Sequence, residues 1–381
     1  MIFLIFLGLI FIAEYFFFSS LSNSENIFLQ VIGYAQLCIF ATSIGLLFLF
    51  FRNRKNHTSY KKGFYVFGAM IAFGIPAFGY FIPGILYNLL EIESFQWIGW
   101  FLSFCLFVAI FIGIFWGRWN WKVHQITLEF PHLPSDFHEI KMVQISDVHV
   151  GSFFDNHSKV RNAINKINAL NPDYVFFTGD LVNNSAREMH GWEDIFLAIS
   201  AKKGKYSILG NHDYGDYVHW ENEALKEKNL SELINTHRKI GFTPLLNESI
   251  QLTDGFWLLG VENWGKAPFR QSGKLDETMR NIPNEHFKLL LSHDPSHFDE
   301  QVIKTNIDLT LSGHTHGMQF GIERFGIKFS PVSLRYKKWA GLYQEGKQYL
   351  YVNRGFGYLG FPGRVGIYPE ITEIILKKSG F

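Results

Sequence analysis

The chain has 381 residues, of which 35 are lysine or arginine and 34 are aspartate or glutamate, so its formal net charge is only +1. A charge this close to zero, without a basic stripe of interleaved aromatic residues, argues against a nucleic-acid-binding protein. The only cysteines, Cys38 and Cys105, both fall in apolar runs. This position excludes a disulfide framework and a thiolate metal site.

The first third of the chain is almost entirely aliphatic and aromatic. A helix of about 20 apolar residues crosses the hydrocarbon core of a bilayer, and four runs suit that purpose: residues 2–19, 30–51, 64–90 and 96–117. They predict a membrane domain of four transmembrane helices over residues 1–117. A cleaved signal peptide is the alternative for the first run, but that run lacks a basic leading segment and a small-residue cleavage site.

The lysines and arginines of the loops predict the orientation of these helices. The loop at 52–62 and the residues after the fourth run are basic, whereas loops 20–29 and 91–95 contain neither residue type. The basic positions are Arg52, Arg54, Lys55, Lys61, Lys62, Arg118 and Lys122. Because basic loops stay in the cytoplasm, we expect a multi-pass protein of the cell (inner) membrane, with both termini and everything after residue 118 on the cytoplasmic side.

Two features inside the apolar runs have a structural and a functional interpretation. Glu14 lies in the first run, and intramembrane acids are often functional. No acid or base lies in the other runs, so we favour a helix–helix contact or an interfacial position. Pro76 and Pro83 are expected to kink the third run. They are the only hint of a transporter, which would need broken helices or paired polar residues in the membrane.

After a connector over residues 118–139, the pattern changes to short apolar runs separated by polar turns, which predicts an α/β domain over residues 140–381. Five runs predict buried strands, and each stops at a polar cluster; they lie at residues 141–146, 173–178, 205–209, 287–292 and 307–312. A helical pattern at 156–170 joins the first two strands, as in a parallel-sheet unit. Later runs suggest more strands and a second sheet packed on the first.

Open α/β sheets bind ligands beyond the carboxyl ends of their strands, so the five polar clusters are expected to meet at one place. Their candidate residues are Asp147, His149, Asp180, Asn211, His212, His293, His314 and His316. Each alone is more often a turn former, a helix cap or an ordinary histidine. Together they indicate a metal site, because imidazole and carboxylate suit zinc, iron and manganese.

A centre with two ions about 3.5–4 Å apart needs one bridging carboxylate, and the sequence Gly179–Asp180 offers an unencumbered approach for it. Gly210, Gly313 and Gly317 are expected to permit backbone conformations that a side chain would block.

In chain order these clusters resemble the motifs of the calcineurin-like metallophosphoesterases, and the resemblance covers roughly residues 140 to 376. The motifs are D-x-H (147–149), G-D (179–180), G-N-H-D (210–213), S-H (292–293) and G-H-T-H (313–316). The resemblance implies a four-layer αββα sandwich, here preceded by the four transmembrane helices, and two divalent metal ions (manganese, iron or zinc).

The resemblance also implies a role for each residue. Asp147, His149 and His316 would hold one ion, Asn211, His293 and His314 would hold the other, and Asp180 would bridge them. His212 would be the general acid that protonates the leaving group, and Asp213 would orient it. A metal-bridging hydroxide would attack phosphorus in line.

Residues 127–151, 312–319 and 352–371, together with the membrane runs, resemble a bacterial branch of membrane-associated phosphoesterases. Some members of that wider branch cleave the pyrophosphate of UDP-diacylglucosamine, so a lipid-linked phosphate ester or pyrophosphate is the leading substrate. Soluble nucleotides or sugar phosphates are alternatives. A non-catalytic metal-dependent membrane scaffold or sensor is another, although it would have no reason to retain His212.

Other residues have two interpretations. The glycine-rich stretch 355–366, with Arg354 and Arg364, would form either a loop over the substrate phosphate or turns with surface arginines. Trp264 and Tyr214 fit the core or rim better than a pocket. Four histidines lie off the strand ends and are left out of the site: His219, His237, His286 and His297.

Overall fold

The computed structural model describes residues 2–52 and 60–380. The chain forms two compact units. One is Met1–Gly117 with the later segment Gly360–Val365, and the other is Arg118–Leu359 with Gly366–Phe381.

The first unit is helical. Its helices are α1 (Ile2–Ser22), α2 (Ile27–Arg52), α3 (Tyr60–Gly74), α4 (Ala77–Leu90) and α5 (Glu93–Phe115). Within the described residues, three stretches are long and apolar enough to cross a membrane: Ile27–Leu49, Lys62–Leu90 and Glu93–Trp119. Gly8–Ser22 is a shorter apolar helix. The apolar runs predicted from the sequence are therefore helices.

The third apolar run is two helices and not one kinked helix, because the chain turns between Gly74 and Ala77. Pro76 lies at this break and directly precedes α4. Its missing N–H makes it tolerable at a helix start and disruptive in an interior. Pro83 nevertheless lies inside α4. The basic loop that we used for orientation is partly outside the described residues, since Arg54 and Lys55 fall between 52 and 60.

Glu14 forms a contact between helices. Its side chain is 2% exposed, and its two carboxylate oxygens lie 2.9 and 2.8 Å from Nε2 of Gln36 on α2. The same amide nitrogen lies 2.6 Å from the carbonyl oxygen of Phe73 on α3. Glu14 thus takes part in the helix–helix contact that we favoured.

The segment Gly360–Val365 belongs to this helical unit although it comes late in the chain. The backbone N–H of Arg364 donates to the carbonyl oxygen of Gly113 on α5, at 3.1 Å. Pro362 lies directly against Gly68 on α3. The helical unit therefore contains one short late segment of the chain in addition to its first 117 residues.

Among its described residues, the second unit has fourteen strands and five α-helices. The strands are β1 (Lys122–Phe130), β2 (Lys141–Ile145), β3 (Tyr174–Phe177), β4 (Gly204–Ser207), β5 (Thr243–Pro244), β6 (Glu248–Thr253), β7 (Phe256–Gly260), β8 (Phe287–Leu291), β9 (Leu309–Ser312), β10 (Ile322–Arg324), β11 (Ile327–Phe329), β12 (Gly341–Glu345), β13 (Gln348–Val352) and β14 (Glu370–Lys378). The helices are α6 (His157–Ala169), α7 (Glu193–Leu197), α8 (Glu223–Lys239), α9 (Leu275–Thr278) and α10 (Ser296–Glu300).

Twelve of these strands form two six-stranded sheets, with the orders β1-β14-β2-β3-β4-β5 and β12-β13-β9-β8-β7-β6. Strands β2 to β5 pair in parallel in the first sheet, and β7, β8, β9 and β13 pair in parallel in the second. β10 and β11 form a separate antiparallel pair. We predicted only a connector over residues 118–139, whereas the structure places strand β1 there, paired with β14 from Lys122 to Phe130.

The two sheets pack face to face over one hydrophobic core, which includes Met142 and Phe176 of the first sheet and Leu289 and Leu311 of the second. Phe298 of α10 packs on the outer face of the second sheet. On the outer face of the first sheet, His237 of α8 lies 2.9 Å from the hydroxyl of Ser207 on β4. This is the four-layer αββα sandwich expected from the sequence.

Candidate metal centre

The candidate ligands follow five strands whose carboxyl ends lie at one edge of the two sheets. Asp147 and His149 follow β2, and Asp180 follows β3. The remaining groups lie after β4, β8 and β9; they are Asn211 with His212, His293, and His314 with His316. Since these strands run parallel to their neighbours within each sheet, their exits bring the side chains together, as predicted.

Five of the seven candidate ligands have a left-handed backbone. Their φ angles are 53° at Asp147, 47° at His149, 61° at Asp180, 72° at His314 and 51° at His316. Residues with a side chain rarely adopt this region, and such strain concentrates at functional sites. We expected four glycines to permit backbone conformations or close approaches that a side chain would block, and two of them, Gly179 and Gly317, have positive φ. The other two glycines leave room for ligand side chains. A Cβ at Gly210 would overlap Asp180, and a Cβ at Gly313 would overlap Asp147.

One group of ligand atoms comes from Asp147, His149 and His316, all buried. His149 Nε2 lies 3.1 Å from His316 Nε2, and His316 Nε2 lies 3.3 Å from Asp147 Oδ1. Two imidazole nitrogens and a carboxylate oxygen therefore face the same point, which is an arrangement suited to a cation.

A second group lies beside the first. Asn211 Oδ1 is 2.8 Å from His314 Nδ1 and 3.2 Å from His293 Nε2. Asp180 Oδ2 is 3.2 Å from His293 Nε2 and 3.5 Å from His149 Nε2. Asp180 thus reaches both groups, as the predicted bridging role requires.

The electrostatics of the centre favour cations. Burial alone would raise the pKa of Asp147, but His316 and His293 hold it well below its usual range. Burial lowers the pKa of His149 and of His314, which keeps their ring lone pairs available. At His293 burial is outweighed by Asp180 and Asp147, which raise its pKa to about 10. A site that binds a proton this tightly has a strongly negative potential.

The residues also fit divalent metal ions by their chemistry. The donors are imidazole, carboxylate and amide oxygen, a set that zinc, iron and manganese accept. Nε2 of the buried His149 lies 3.1 Å from Nε2 of His316 and 3.5 Å from Oδ2 of Asp180. The ring therefore turns the nitrogen that would bind a cation toward the other candidate ligands.

His212 has a fixed tautomer. Its Nδ1 lies 2.7 Å from the carbonyl oxygen of Asn183. Because a carbonyl oxygen only accepts hydrogen bonds, Nδ1 carries a proton, and Nε2 is the ring nitrogen that can gain or lose a proton. Its backbone N–H donates to Asp180 Oδ1 at 2.8 Å. Burial lowers the pKa of His212.

Asp213 does not orient His212, contrary to our prediction. Its carboxylate accepts hydrogen bonds from the backbone N–H groups of Asp180, Leu181 and Gly210, at 2.8 to 2.9 Å. The short turn Asn211–Tyr214 places this side chain against the backbone of the loop after β3. Burial, with Asp180 nearby, raises the pKa of Asp213 to about 7. Asp213 therefore shapes the loop that presents Asp180.

Sequence reasoning missed three side chains that hold ligands in place. Nδ2 of Asn211 donates to the hydroxyl of Tyr217 at 2.8 Å, which turns Oδ1 of this amide toward the histidines. His314 Nε2 lies 2.9 Å from the hydroxyl of Tyr336, and that hydroxyl donates to Asp294 at 3.3 Å. Asp294 directly follows His293 and could have been suspected, whereas the two tyrosines lie in loops without a motif.

The residues with two interpretations can now be placed. Tyr214 is 1% exposed and donates to Glu262, and Trp264 stacks on His297 at 5.0 Å, so neither ring lines the centre. Arg354 pairs with Glu323 and Glu370. Arg364 is buried in the helical unit. Both arginines are therefore buried and not on the surface, and Arg354 is held by two carboxylates.

The four excluded histidines do not join the centre. His237 contacts Ser207, His286 accepts from Trp257, and His297 contacts Ser292. His219 is exposed.

Comparisons with known proteins agree with this geometry. Residues 140–318 match a family model described as calcineurin-like phosphoesterase. The chain is 30% identical over 266 residues to the uncharacterized metallophosphoesterase YkuE of Bacillus subtilis, covering 66% of this chain and 84% of that protein. It is 26% identical over 281 residues to an uncharacterized metallophosphoesterase of Aquifex aeolicus, covering 72% of this chain and 100% of that protein.

A vertebrate protein is also similar. The chain is 29% identical over 267 residues to the transmembrane protein with metallophosphoesterase domain of Danio rerio, covering 68% of this chain. The match spans 58% of the length of that relative.

Proposed function

The chain belongs to the calcineurin-like phosphoesterase family, and from this premise we propose that it is a membrane-bound hydrolase that cleaves a phosphate ester or pyrophosphate with two divalent metal ions. The observation that carries the proposal is the position of Asp180. Its carboxylate lies within 3.5 Å of histidines from both ligand groups, which suits a carboxylate shared by two cations.

The ligands divide between two ions. Asp147, His149 and His316 would hold the first, Asn211, His293 and His314 would hold the second, and Asp180 would touch both. When bound, the ions would lower the pKa of water and neutralise charge on the phosphoryl oxygens. Tyr217 and Tyr336 would keep Asn211 and His314 turned toward the metal.

His212 would transfer a proton to the leaving-group oxygen. The Asn183 carbonyl holds the proton on Nδ1, so Nε2 is the atom that can carry the transferred proton. This role distinguishes an enzyme from a metal-dependent scaffold or sensor, because binding alone needs no proton donor.

The first test is hydrolysis of an aryl phosphate mono- or diester by the purified full-length protein with added Mn²⁺. His212→Ala is expected to lower kcat by about 10²- to 10⁴-fold, the usual contribution of a general acid, with metal content unchanged by elemental analysis. Asp180→Ala should lose both activity and metal. His219→Ala, at an exposed histidine, is the control. Full activity in Asp180→Ala would refute the two-metal mechanism.

For the substrate we propose a phosphate ester or pyrophosphate carried on a lipid, with UDP-diacylglucosamine as the lead. The candidate membrane spans support this choice, since they hold the protein where such molecules reside. The detergent-solubilised enzyme should be incubated with a lipid extract and UDP-sugar lipids, and the products measured by mass spectrometry. Turnover of soluble nucleotides or sugar phosphates alone would contradict a lipid substrate.

We also propose that the catalytic unit faces the cytoplasm. The basic loop at 52–62 and the residues Arg118 and Lys122 support this orientation.

A further inference from the structure

A cluster of exposed apolar side chains follows the last candidate ligand. We call it the 318–334 surface, after its first and last members. Its members and their exposed fractions are Met318 (56%), Ile322 (52%), Phe325 (96%), Ile327 (55%), Phe329 (52%) and Leu334 (87%). Among the other described residues of the second unit, the most exposed large apolar side chain is Leu197, at 51%. Single exposed apolar residues are ordinary, whereas a cluster of them marks an interaction surface.

The β10–β11 hairpin has two different faces. Glu323 pairs with Lys328 across the hairpin, and Ile322 pairs with Phe329. Glu323 forms two hydrogen bonds with Arg354, at 2.6 and 2.8 Å, and Lys328 donates to the carbonyl oxygen of Ala340. These polar contacts fix one face of the hairpin to the phosphoesterase unit. The alternation of side chains along a strand then turns Ile322, Ile327 and Phe329 away from it.

The tip of the hairpin is strained. Phe325 and Gly326 form a two-residue turn with φ angles of 55° and 77°. The first position of such a turn favours asparagine, aspartate or glycine, because a bulky side chain is strained there. A phenylalanine at this position buries almost none of its own surface in the protein, so neither the turn nor the core explains it.

Basic residues surround the apolar ones. Residues 318–338 contain five basic residues and one acidic residue, and the acid is the paired Glu323. Arg324, Arg335 and Lys337 are exposed. Apolar side chains flanked by cations are the composition of a surface that enters the headgroup region of an anionic bilayer. The chain carries candidate membrane spans, so a bilayer is always available to it.

We propose that the 318–334 surface inserts into the headgroup region of the bilayer, with Phe325 as its deepest residue. This contact requires that the protein resides in a membrane and does not require hydrolysis. The surface lies between His316 and Tyr336 in the chain, so insertion would hold the candidate metal centre beside lipid headgroups. In that respect it rests on the proposed function and favours phosphate carried on a lipid as the substrate.

The test uses the full chain in vesicles of phosphatidylethanolamine and phosphatidylglycerol. Cys38 and Cys105 are replaced by alanine, and a polarity-sensitive fluorophore is attached at Phe325→Cys. A matched protein carries the fluorophore at Lys347→Cys, an exposed position in the β12–β13 turn. We expect a blue shift and strong quenching by lipids with a spin label near the headgroup at position 325, and neither effect at position 347.

Two results would overturn the proposal. One is a fluorophore at 325 that water-soluble quenchers reach as easily as the one at 347. The other is a fluorophore shielded from water but not quenched by the labelled lipids, which would indicate a second protein on this surface. Because fluorescence does not depend on turnover, these results are independent of whether the protein hydrolyses phosphate.

A second variant separates membrane contact from folding. Phe325→Asn places a residue suited to the left-handed turn, so the thermal stability in detergent should be equal or higher. Hydrolysis of a soluble aryl phosphate should be unchanged, and hydrolysis of a phosphodiester presented on vesicles should fall. A loss of stability in detergent, or equal loss on both substrates, would mean that Phe325 serves the fold or the centre instead.

Discussion

The backbone at the candidate ligands carries a cost that the rest of the domain must offset. Each left-handed residue with a side chain costs about 1–3 kcal/mol, and five ligands are of this kind. A folded domain has only about 5–15 kcal/mol of net stability. The large core between the two sheets therefore offsets the strain of the loops that follow the strands, and these loops carry the candidate metal ligands.

This strain predicts a difference between two substitutions at one ligand. His316→Gly and His316→Ala both remove the imidazole, but only glycine accepts φ of 51° without strain. In metal-free protein we expect His316→Gly to be more stable than His316→Ala by about 1 kcal/mol, measured by thermal unfolding in detergent. Equal stability of the two variants would mean that the loop relaxes when the side chain is removed.

Tyr336 predicts a second effect at the residue scale. Tyr336→Phe removes the hydroxyl beside His314 Nε2, and loss of such a partner usually lowers metal affinity about 10- to 100-fold. Metal titration should show the loss at one of two sites, with little change in thermal stability. Tyr349→Phe is the control. Tyr349 pairs with Leu309, the first residue of β9, whereas the candidate ligands follow the last residue of that strand. Unchanged affinity in Tyr336→Phe would contradict the positioning role.

The contrast between His314 and Tyr336 shows what the sequence could predict about the centre. The ligands follow strands directly and recur in short spacings, so local pattern was enough to group them. Tyr217, Tyr336 and the Asn183 carbonyl reach the centre through loop conformation, which no local spacing encodes. Asp213 was assigned the wrong partner for the same reason, since its direction depends on how two loops meet.

At the scale of elements, a buried ion cluster ties three pieces of the second unit together. Arg354 follows β13 and donates to Glu370 at the start of β14, at 2.6 Å, and to Glu323 on β10. Tyr351 also donates to Glu370, at 2.6 Å. Removing one partner of such a buried pair typically costs about 3–5 kcal/mol, because the other charge is left uncompensated.

This cluster predicts a dependence of stability on pH. Burial would raise the pKa of Glu370, but Arg354 and its hydrogen bonds lower it from 4.5 to about 2. A lowered pKa stabilises the folded state above pH 4.5, and the stabilisation is lost as the pH falls toward 2. The stability difference between wild type and Glu370→Gln should therefore be constant above pH 5.5 or so and shrink below about pH 4.5.

The control for this experiment is Glu129→Gln, at an exposed carboxylate on β1. Thermal unfolding of all three proteins in detergent across the acid range gives the comparison. A difference between wild type and Glu370→Gln that stays constant down to pH 3 would contradict the assignment.

Elements were predicted well where burial pattern was strong. Of the five strands that precede the candidate ligands, β2, β3, β8 and β9 are short buried runs and β4 is mostly half-buried, and the sequence predicts each of them. Strand β1 was missed because it is an edge strand with many exposed residues, and its partner β14 lies at the other end of the chain. The β10–β11 hairpin was missed because its outward residues are apolar and exposed, which reverses the usual alternation.

At the scale of the whole molecule, the orientation in the membrane is a prediction from loop charge. A reporter that is active only in the cytoplasm, fused after Phe381, should be active, because the basic loop 52–62 is expected to stay inside. Replacing the five basic residues of this loop by glutamine should give mixed orientation. A fused reporter found outside the membrane would reverse the proposed topology.

The composition of the helical unit has a consequence for the order of synthesis. Its helices are translated before the phosphoesterase unit, but Gly360–Val365 belongs to the same helical unit and follows about 240 residues after Gly117. At about 5–20 residues per second this interval is roughly 12–50 s. During that time α5 has been made without the backbone partner that Arg364 supplies at Gly113. The helical unit therefore receives its last segment only after both sheets of the phosphoesterase unit have been translated except for β14.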